Sequence, residues 1–342
     1  MKTIKILTLV LSTSLFIYSC SDDDSVNDDD GPSADLRSEV YASSNTDGNP
    51  RMYDISDPNN IETKTFLTLS TDSEGIYYDA SEDQLTQTSR SSFKLNTYGD
   101  ISVSETGVTL DIDLESSADL ESPRDVAVNE NFYVVSDNAD LDGDSNTAEG
   151  RFFVYTKSAS GYTLRNTVTV DFAVWGIEFV GDDLFAVVDK TSDIAQFSNF
   201  TSLTTNTTVS PTKRITIEGI NRTHGIGFDD GTMILTDIGD ASVDSDGGFH
   251  VISNFRSKFN GVNDGETLAI SNQVRVAGAA TFLGNPISAD YDADSDTVFI
   301  AERANGDGRV LAFVDASTGG NIAPSINNEL SGASSVYYYS EN

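Results

Sequence analysis

Oxygen-bearing side chains recur through one twelve-residue stretch: Asn138, Asp140, Asp142, Asp144, Asn146 and Glu149, with Gly143 at its sixth position. Hard cations such as calcium take six or more oxygens, and this spacing wraps a chain around one. The glycine permits the sharp turn and the last glutamate closes the shell. Asn138 stands where an aspartate is usual, and Ser145 where an aliphatic side chain is. Related phrases occur at Asn45-Thr46-Asp47-Gly48, Asp244-Ser245-Asp246-Gly247 and Asn305-Gly306-Asp307-Gly308. In those three, Asp-Gly is expected to supply the positive φ of a tight hairpin turn rather than a cation site. Calcium is therefore the cofactor to expect, in a structural role, at the second loop.

A second set is defined by place rather than spacing. Glu74, Arg124, Trp175 and His224, with Ile287 and Ser334 less clearly, each stand just before a short β-type run. A carboxylate, a cation, an aromatic face and an imidazole gathered around one funnel would bind a sugar or small polar ligand. Each would serve equally well packed into a wall with its polar tip satisfied. His250 lies inside a strand-like run and reads as ordinary. Enzyme signatures are lacking: there is no G-x-S-x-G, no H-E-x-x-H, no phosphate loop and no cysteine nucleophile.

Positioning these residues falls to a repeat. Six short starters, Gly75-Ile76, Asp125-Val126, Gly176-Ile177, Gly225-Ile226, Ser288-Ala289 and Ser335-Val336, follow one another at spacings of 50, 51, 49, 63 and 47 residues. Second runs follow as Phe132 to Val135, Leu184 to Val188, Met233 to Thr236 and Val298 to Ala301, and third runs as Phe152 to Tyr155, Phe249 to Ile252 and Val310 to Val314. Fourth runs are Thr63 to Leu69, Val108 to Ile112, Leu164 to Val170, Lys213 to Ile217 and Val274 to Ala277. The runs are rich in Val, Ile, Phe, Tyr and Thr, and no helical period of any length is visible. Four strands per unit of about 50 residues define a propeller blade. The expected fold is an all-β, six-bladed β-propeller over residues 38–342. The last starter has no partners after it, while Glu39 to Ser43, Arg51 to Ile55 and Thr63 to Leu69 have no starter before them. Joined, they complete one blade and remove free edges. The starts of the innermost strands and the loops between second and third strands then share one face, the usual place for function.

This rhythm resembles six-bladed propellers of the broad NHL-like and YVTN-like kind, and the 138–149 loop resembles the calcium loops of integrin-type propellers. A lactonase-like or phosphotriesterase-like site would want calcium held at the channel by carboxylates and asparagines. Glu74 suits that; Arg124, at the equivalent place in the next blade, does not.

The N-terminus adds an address. Lys2 and Lys5 precede an apolar run from Ile6 to Ile17, too short to span a bilayer, so residues 1–19 read as a signal peptide ending at Cys20. Cys20 is the only cysteine, so no disulfide forms within the chain and its expected use is lipidation. Residues 20–37 are an acidic tether too polar to fold. Together they resemble the lipobox and tether of Bacteroidota surface lipoproteins, which implies an outer-membrane anchor facing outward. Formal charge is −35; removing residues 1–19 takes away two lysines and no acids, leaving 18 − 55 = −37. Such a surface repels nucleic acid and anionic head groups. The expectation is a surface binding protein for glycan or a protein partner, the alternatives being a carbohydrate-active or lactonase-like hydrolase or lyase, or a structural surface protein.

Overall fold

The computed structural model describes residues 36–144 and 147–341. Cys20, the leader, the tether as far as residue 35, and Asn146 lie outside them. Among the described residues are six sheets, each one blade of a β-propeller. Blade 1 is closed by the chain's two ends, in the spatial order Ala333–Ser340, Ser38–Ser44, Arg51–Asp54, Glu62–Thr65. Its register pairs Ser38 with Ser340 and Tyr41 with Tyr337. Blades 2 to 6 begin at Ser73–Asp79, Pro123–Asn129, Val174–Val180, Ile226–Asp229 and Pro286–Asp292, and each winds outward through three further strands, every one antiparallel to the last.

Blade strands are covered on both faces, which is why they read as near-continuous apolar runs rather than alternating ones. In the third strand of blade 3, Phe152 and Val154 enter the seam toward blade 4 while Phe153 and Tyr155 enter the seam toward blade 2. The second strand of blade 4 divides likewise, Leu184 and Ala186 to one side and Phe185 and Val187 to the other. Six apolar clusters result, one per seam. Burying one side chain such as Phe152 contributes about 1.5–3 kcal/mol. Glycine in the starters has a steric cause. A Cβ on Gly75 would meet the backbone nitrogen of Val126 and one on Gly176 the carbonyl of His224, so innermost strands of adjacent blades touch backbone to backbone.

Three details depart from the sequence reading. Val108 to Ile112 is not the fourth strand of blade 2: Leu114–Glu115 takes that place against Asn96 and Thr97. The Val108 run instead pairs in parallel with Leu67 of blade 1 and buries Leu110 in the seam there. Blades 3 and 4 gain fifth, parallel strands of two residues each, Thr207–Thr208 and Thr267–Leu268. A six-residue helix, Phe255–Asn260, buries Phe255 and Phe259 against Phe185. An i, i+4 aromatic pair is too little pattern to announce a helix.

Candidate functional site

Four of the innermost strands carry a register irregularity at one place, between Ser73 and Ile76, Pro123 and Asp125, Val174 and Ile177, and Pro286 and Ser288. A bulge re-aims the side chain it carries, and within these four lie Glu74, Arg124, Trp175 and Ile287. In blades 3, 5 and 6 the connection entering the innermost strand is held by a buried acid that ends the second strand. Asp137 accepts from the backbone N–H groups of Glu121, Ser122 and Ala139. Asp237 does so for Asn221, Arg222 and Gly239, and Glu302 for Gly284, Asn285, Ala304 and Asn305.

The outcome is a cavity of about 290 Å³ at one mouth of the central channel. Glu74, Arg124, Trp175, His224 and Ile287 all line it, so the structure brings the expected group together. Ser334 is not in its wall and donates to the carbonyl of Ser73. The sequence reading missed Arg90, Arg222 and Arg303, which also line it, with Asn45 and Asn285. A signal existed. Asn45, Arg90, Asn138, Asp189, Ile238 and Arg303 each follow the last residue of a second strand, forming an outer ring above the starters.

Trp175 is sandwiched. His224 stacks on it at 3.8 Å with planes 5° apart, and the Arg124 guanidinium lies 4.2 Å from its ring centroid. Groups that near the centroid cannot share a face, so both faces are taken and only the indole edge borders the cavity. His224 Nε2 is 3.0 Å from Asp189 Oδ1, which also accepts from Arg222 Nε and Nη2 at 3.1 and 2.8 Å. Burial depresses the His224 pKa against the pull of Asp189, keeping the ring neutral at pH 7. Burial would raise Asp189, but the bond to His224 and the His224 and Arg222 charges hold it at about 2; with His224 neutral, Arg222 is the charge that remains. Glu74 is buried, and its Oε1 meets Arg90 Nη1 at 3.2 Å and Arg124 Nη1 at 3.5 Å. Burial pushes Glu74 up, opposed by Arg124, Arg90 and Arg303, and pushes Arg124 down, opposed first by Glu74.

In the acidic loop, carboxylate oxygens of Asp140, Asp142 and Glu149 lie within 4.8 Å of one another. Leu141 N–H donates to Glu149, Gly143 N–H to Asp140, and Asp144 N–H to Asp142. Asn138 turns elsewhere: its Oδ1 accepts from Arg124 Nε at 2.9 Å and Ser122 Oγ at 3.0 Å, tying the loop's first residue to the mouth. In the related turns Gly48 and Gly308 adopt positive φ, as Gly143 does. Gly247 does not, and is required instead by the close approach of the Gly284 carbonyl.

The other end of the channel is acidic, a cavity of about 520 Å³ bordered by Asp125, Glu178, Asp229 and Asp290. Asp125 Oδ2 accepts from Ile177 N–H in the next blade at 3.0 Å, and Asp290 Oδ2 from Tyr338 N–H in the blade beyond it at 2.7 Å. Burial pushes both up to about 7, and Glu178 well above its ordinary value.

Fold and mouth together define a six-bladed β-propeller with a polar cavity at one end of its channel. No known family and no curated protein matches the sequence. Solved structures resemble the fold. One is from a nidogen/laminin complex, with TM-score 0.59 and 12% identity over 88% of this chain and 98% of that one. Another is a candidate 6-phosphogluconolactonase of Bacteroides fragilis, with TM-score 0.56 and 8% identity over 91% and 100%. A third is a protein from Lactobacillus plantarum, with TM-score 0.51 and 12% identity over 89% and 100%. At such identities the likeness is one of fold.

Proposed function

We propose that the chain is a surface binding protein whose mouth cavity takes the end of a glycan, anchored to the outer membrane through a lipid on Cys20 and braced by calcium at the 138–149 loop. The observation that carries the reading is the convergence of Glu74, Arg124, Trp175 and His224, from four successive blades, on one cavity. Support for outward presentation comes from Arg37, which enters the propeller at the end of the channel opposite that cavity: it bonds Tyr78 and Glu39 there, and its N–H donates to Glu341. The address itself rests on residues 1–35 alone, and substitution Cys20→Ser is expected to abolish incorporation of labelled fatty acid.

Trp175 is the only tryptophan and borders the cavity, so its emission reports occupancy without a label. Titrating the purified domain with a panel of oligosaccharides is expected to give a saturable change for some member. Substitution Arg124→Ala should remove that change in a protein that still unfolds cooperatively, at a thermal midpoint lowered by loss of the Glu74 pair and the Trp175 stack. A panel without hits in both calcium and chelator overturns the proposal.

An enzymatic reading rests on the His224–Asp189 pair, which has the form of an oriented base. His224 Nδ1, the nitrogen that would act, is buried and has no hydrogen-bond partner among the described residues. A base closed off from the cavity favours binding over turnover. Hydrolysis or elimination of any oligosaccharide, lost in His224→Ala, would favour the enzyme instead.

A further inference from the structure

Charge reverses at the mouth. The chain carries −35 overall, yet Arg90, Arg124, Arg222 and Arg303 face this one cavity, against Glu74 as the single acid lining it. With His224 neutral, and with Asp189 and Asp72 pairing with Arg222 and Arg90 from behind the wall, four positive charges stand against three negative and the cluster keeps a formal +1. Four of the chain's 20 basic residues are spent on a cavity of about 290 Å³, and none of the four is a lysine. Guanidinium presents a planar fork of donors that matches an oxyanion, where an ammonium is a point charge.

Donors on these arginines remain unused. Among the described residues, Arg90 spends Nη1 on Glu74, Arg124 spends Nε on Asn138 and Nη1 on Glu74, and Arg222 spends Nε and Nη2 on Asp189. That leaves Nη2 of Arg90, Nη2 of Arg124 and Nη1 of Arg222 without a hydrogen-bond partner among the described residues. Arg303 is exposed, and its guanidinium makes no hydrogen bond or ion pair with any described residue, though its charge is felt at Glu74. An unpaired arginine on an acidic protein, aimed into a cavity with three half-engaged ones, is a binding group without a structural task.

Sandwiching of Trp175 removes the alternative of a sugar ring stacked on the indole. Recognition must instead be polar. Besides the guanidinium donors, the wall carries the side-chain amides of Asn45 and Asn285, groups that both accept from and donate to hydroxyls. A group offering both an oxyanion and hydroxyls is an acidic sugar. Cavities for small ligands run to about 300–1,000 Å³, so this one suits a single terminal residue rather than a chain lying along the surface.

We propose that the mouth cavity recognises an acidic glycan end, its carboxylate or sulfate taken by Arg303 together with the free edges of Arg90, Arg124 and Arg222. This rests on the mouth being a binding site at all, and the test separates the two ideas. Four probes are titrated into the purified domain and followed by Trp175 emission and calorimetry: a trigalacturonate, its methyl ester, a sulfated galactan oligosaccharide, and a polyglutamate peptide. Trigalacturonate or the sulfated sugar is expected to bind, and which of them does so identifies the oxyanion. The ester should bind at least tenfold more weakly than the acid, and raising salt from 50 to 500 mM should weaken the acidic ligand. Substitution Arg303→Gln should cost about tenfold in affinity with an unchanged thermal midpoint, because that side chain holds nothing in the fold, and Arg303→Lys should restore part of it. Equal binding of ester and acid overturns the acidic inference and leaves the binding site standing. Binding of polyglutamate alone overturns the glycan assignment, and silence from all four overturns both ideas.

Discussion

Raising the pH from 6.5 to 8.5 should destabilise this protein, and the cause lies in its channel. Asp125 and Asp290 titrate at about 7 in the folded chain against 3.8 as free groups, and Glu178 sits higher than usual beside them. A carboxyl whose folded pKa is raised binds its proton more tightly in the folded state. Stability is therefore greatest below the unfolded value and declines until pH passes the folded one. Between pH 6.5 and 8.5 a single carboxyl with a folded value of 7 loses about 0.8 kcal/mol, and Glu178 adds in the same direction. All three border open channel, where water screens them, so about 2 kcal/mol in total is the reasonable expectation from the carboxyls. Two groups oppose this inside the window. His224 and His250 are held below 6.5 in the fold, so stability rises as pH passes their unfolded value, by at most about 0.4 kcal/mol each. The net loss is about 1 kcal/mol, or about 2 °C in thermal midpoint for a domain of this size. The contribution of Asp189 is lost only on approach to pH 2. Urea unfolding at pH 6.5, 7.5 and 8.5 and constant ionic strength measures the slope. Substitution Glu178→Gln keeps an oxygen for the Phe179 N–H and removes the charge, so it should shallow the slope and raise stability by about 1 kcal/mol at pH 8.5. Stability that is flat or rising across the window would refute the reasoning.

Calcium at millimolar concentration should raise the thermal midpoint over excess chelator, and Glu149→Gln with Asp142→Asn should erase the difference; identical melts of the unsubstituted protein would remove calcium from the account. Truncation after Gly332 deletes the strand that closes blade 1 and bares the edge of Ser38–Ser44, so loss of the cooperative transition or aggregation is expected by circular dichroism and light scattering. Phe255→Ala should cost about 3–5 kcal/mol in urea unfolding, since Phe255 is wholly buried against Phe185 and Phe259.

The blade rhythm was legible because each strand faces two seams, which forces the apolar runs that make the period visible. Blade closure followed from the surplus of strands at one end and starters at the other. What stayed hidden depends on pairing across space. The Val108 run has strand composition, but nothing in its residues says that Leu67 rather than Asn96 is its neighbour. Trp175 advertised an aromatic face, and only the arrival of Arg124 and His224 from the blades on either side covers it. Arg90 and Arg303 lie one residue beyond the observed second strands, but the visible run Val298 to Ala301 stops two residues short of Arg303 and no second run is visible before Arg90. The ring is therefore legible only once the repeat is carried to the end of those strands. Asn138 fits the first place of a calcium loop by spacing, yet its oxygen is claimed by a guanidinium from the next ring inward.

Closure of blade 1 also has a mechanical side. Ser38–Ser44 runs from the far end of the channel up to the arginine mouth, hydrogen-bonded on one edge to Ala333–Ser340 and on the other to Arg51–Asp54. With a ligand holding the mouth, a pull on the chain ahead of Arg37 acts along that strand's own axis. Both rows of hydrogen bonds are then loaded together in shear, instead of opening one at a time as in a peeled hairpin. The seam that joins the two ends of the chain is thus oriented to carry tension between whatever holds the N-terminus and whatever the mouth holds.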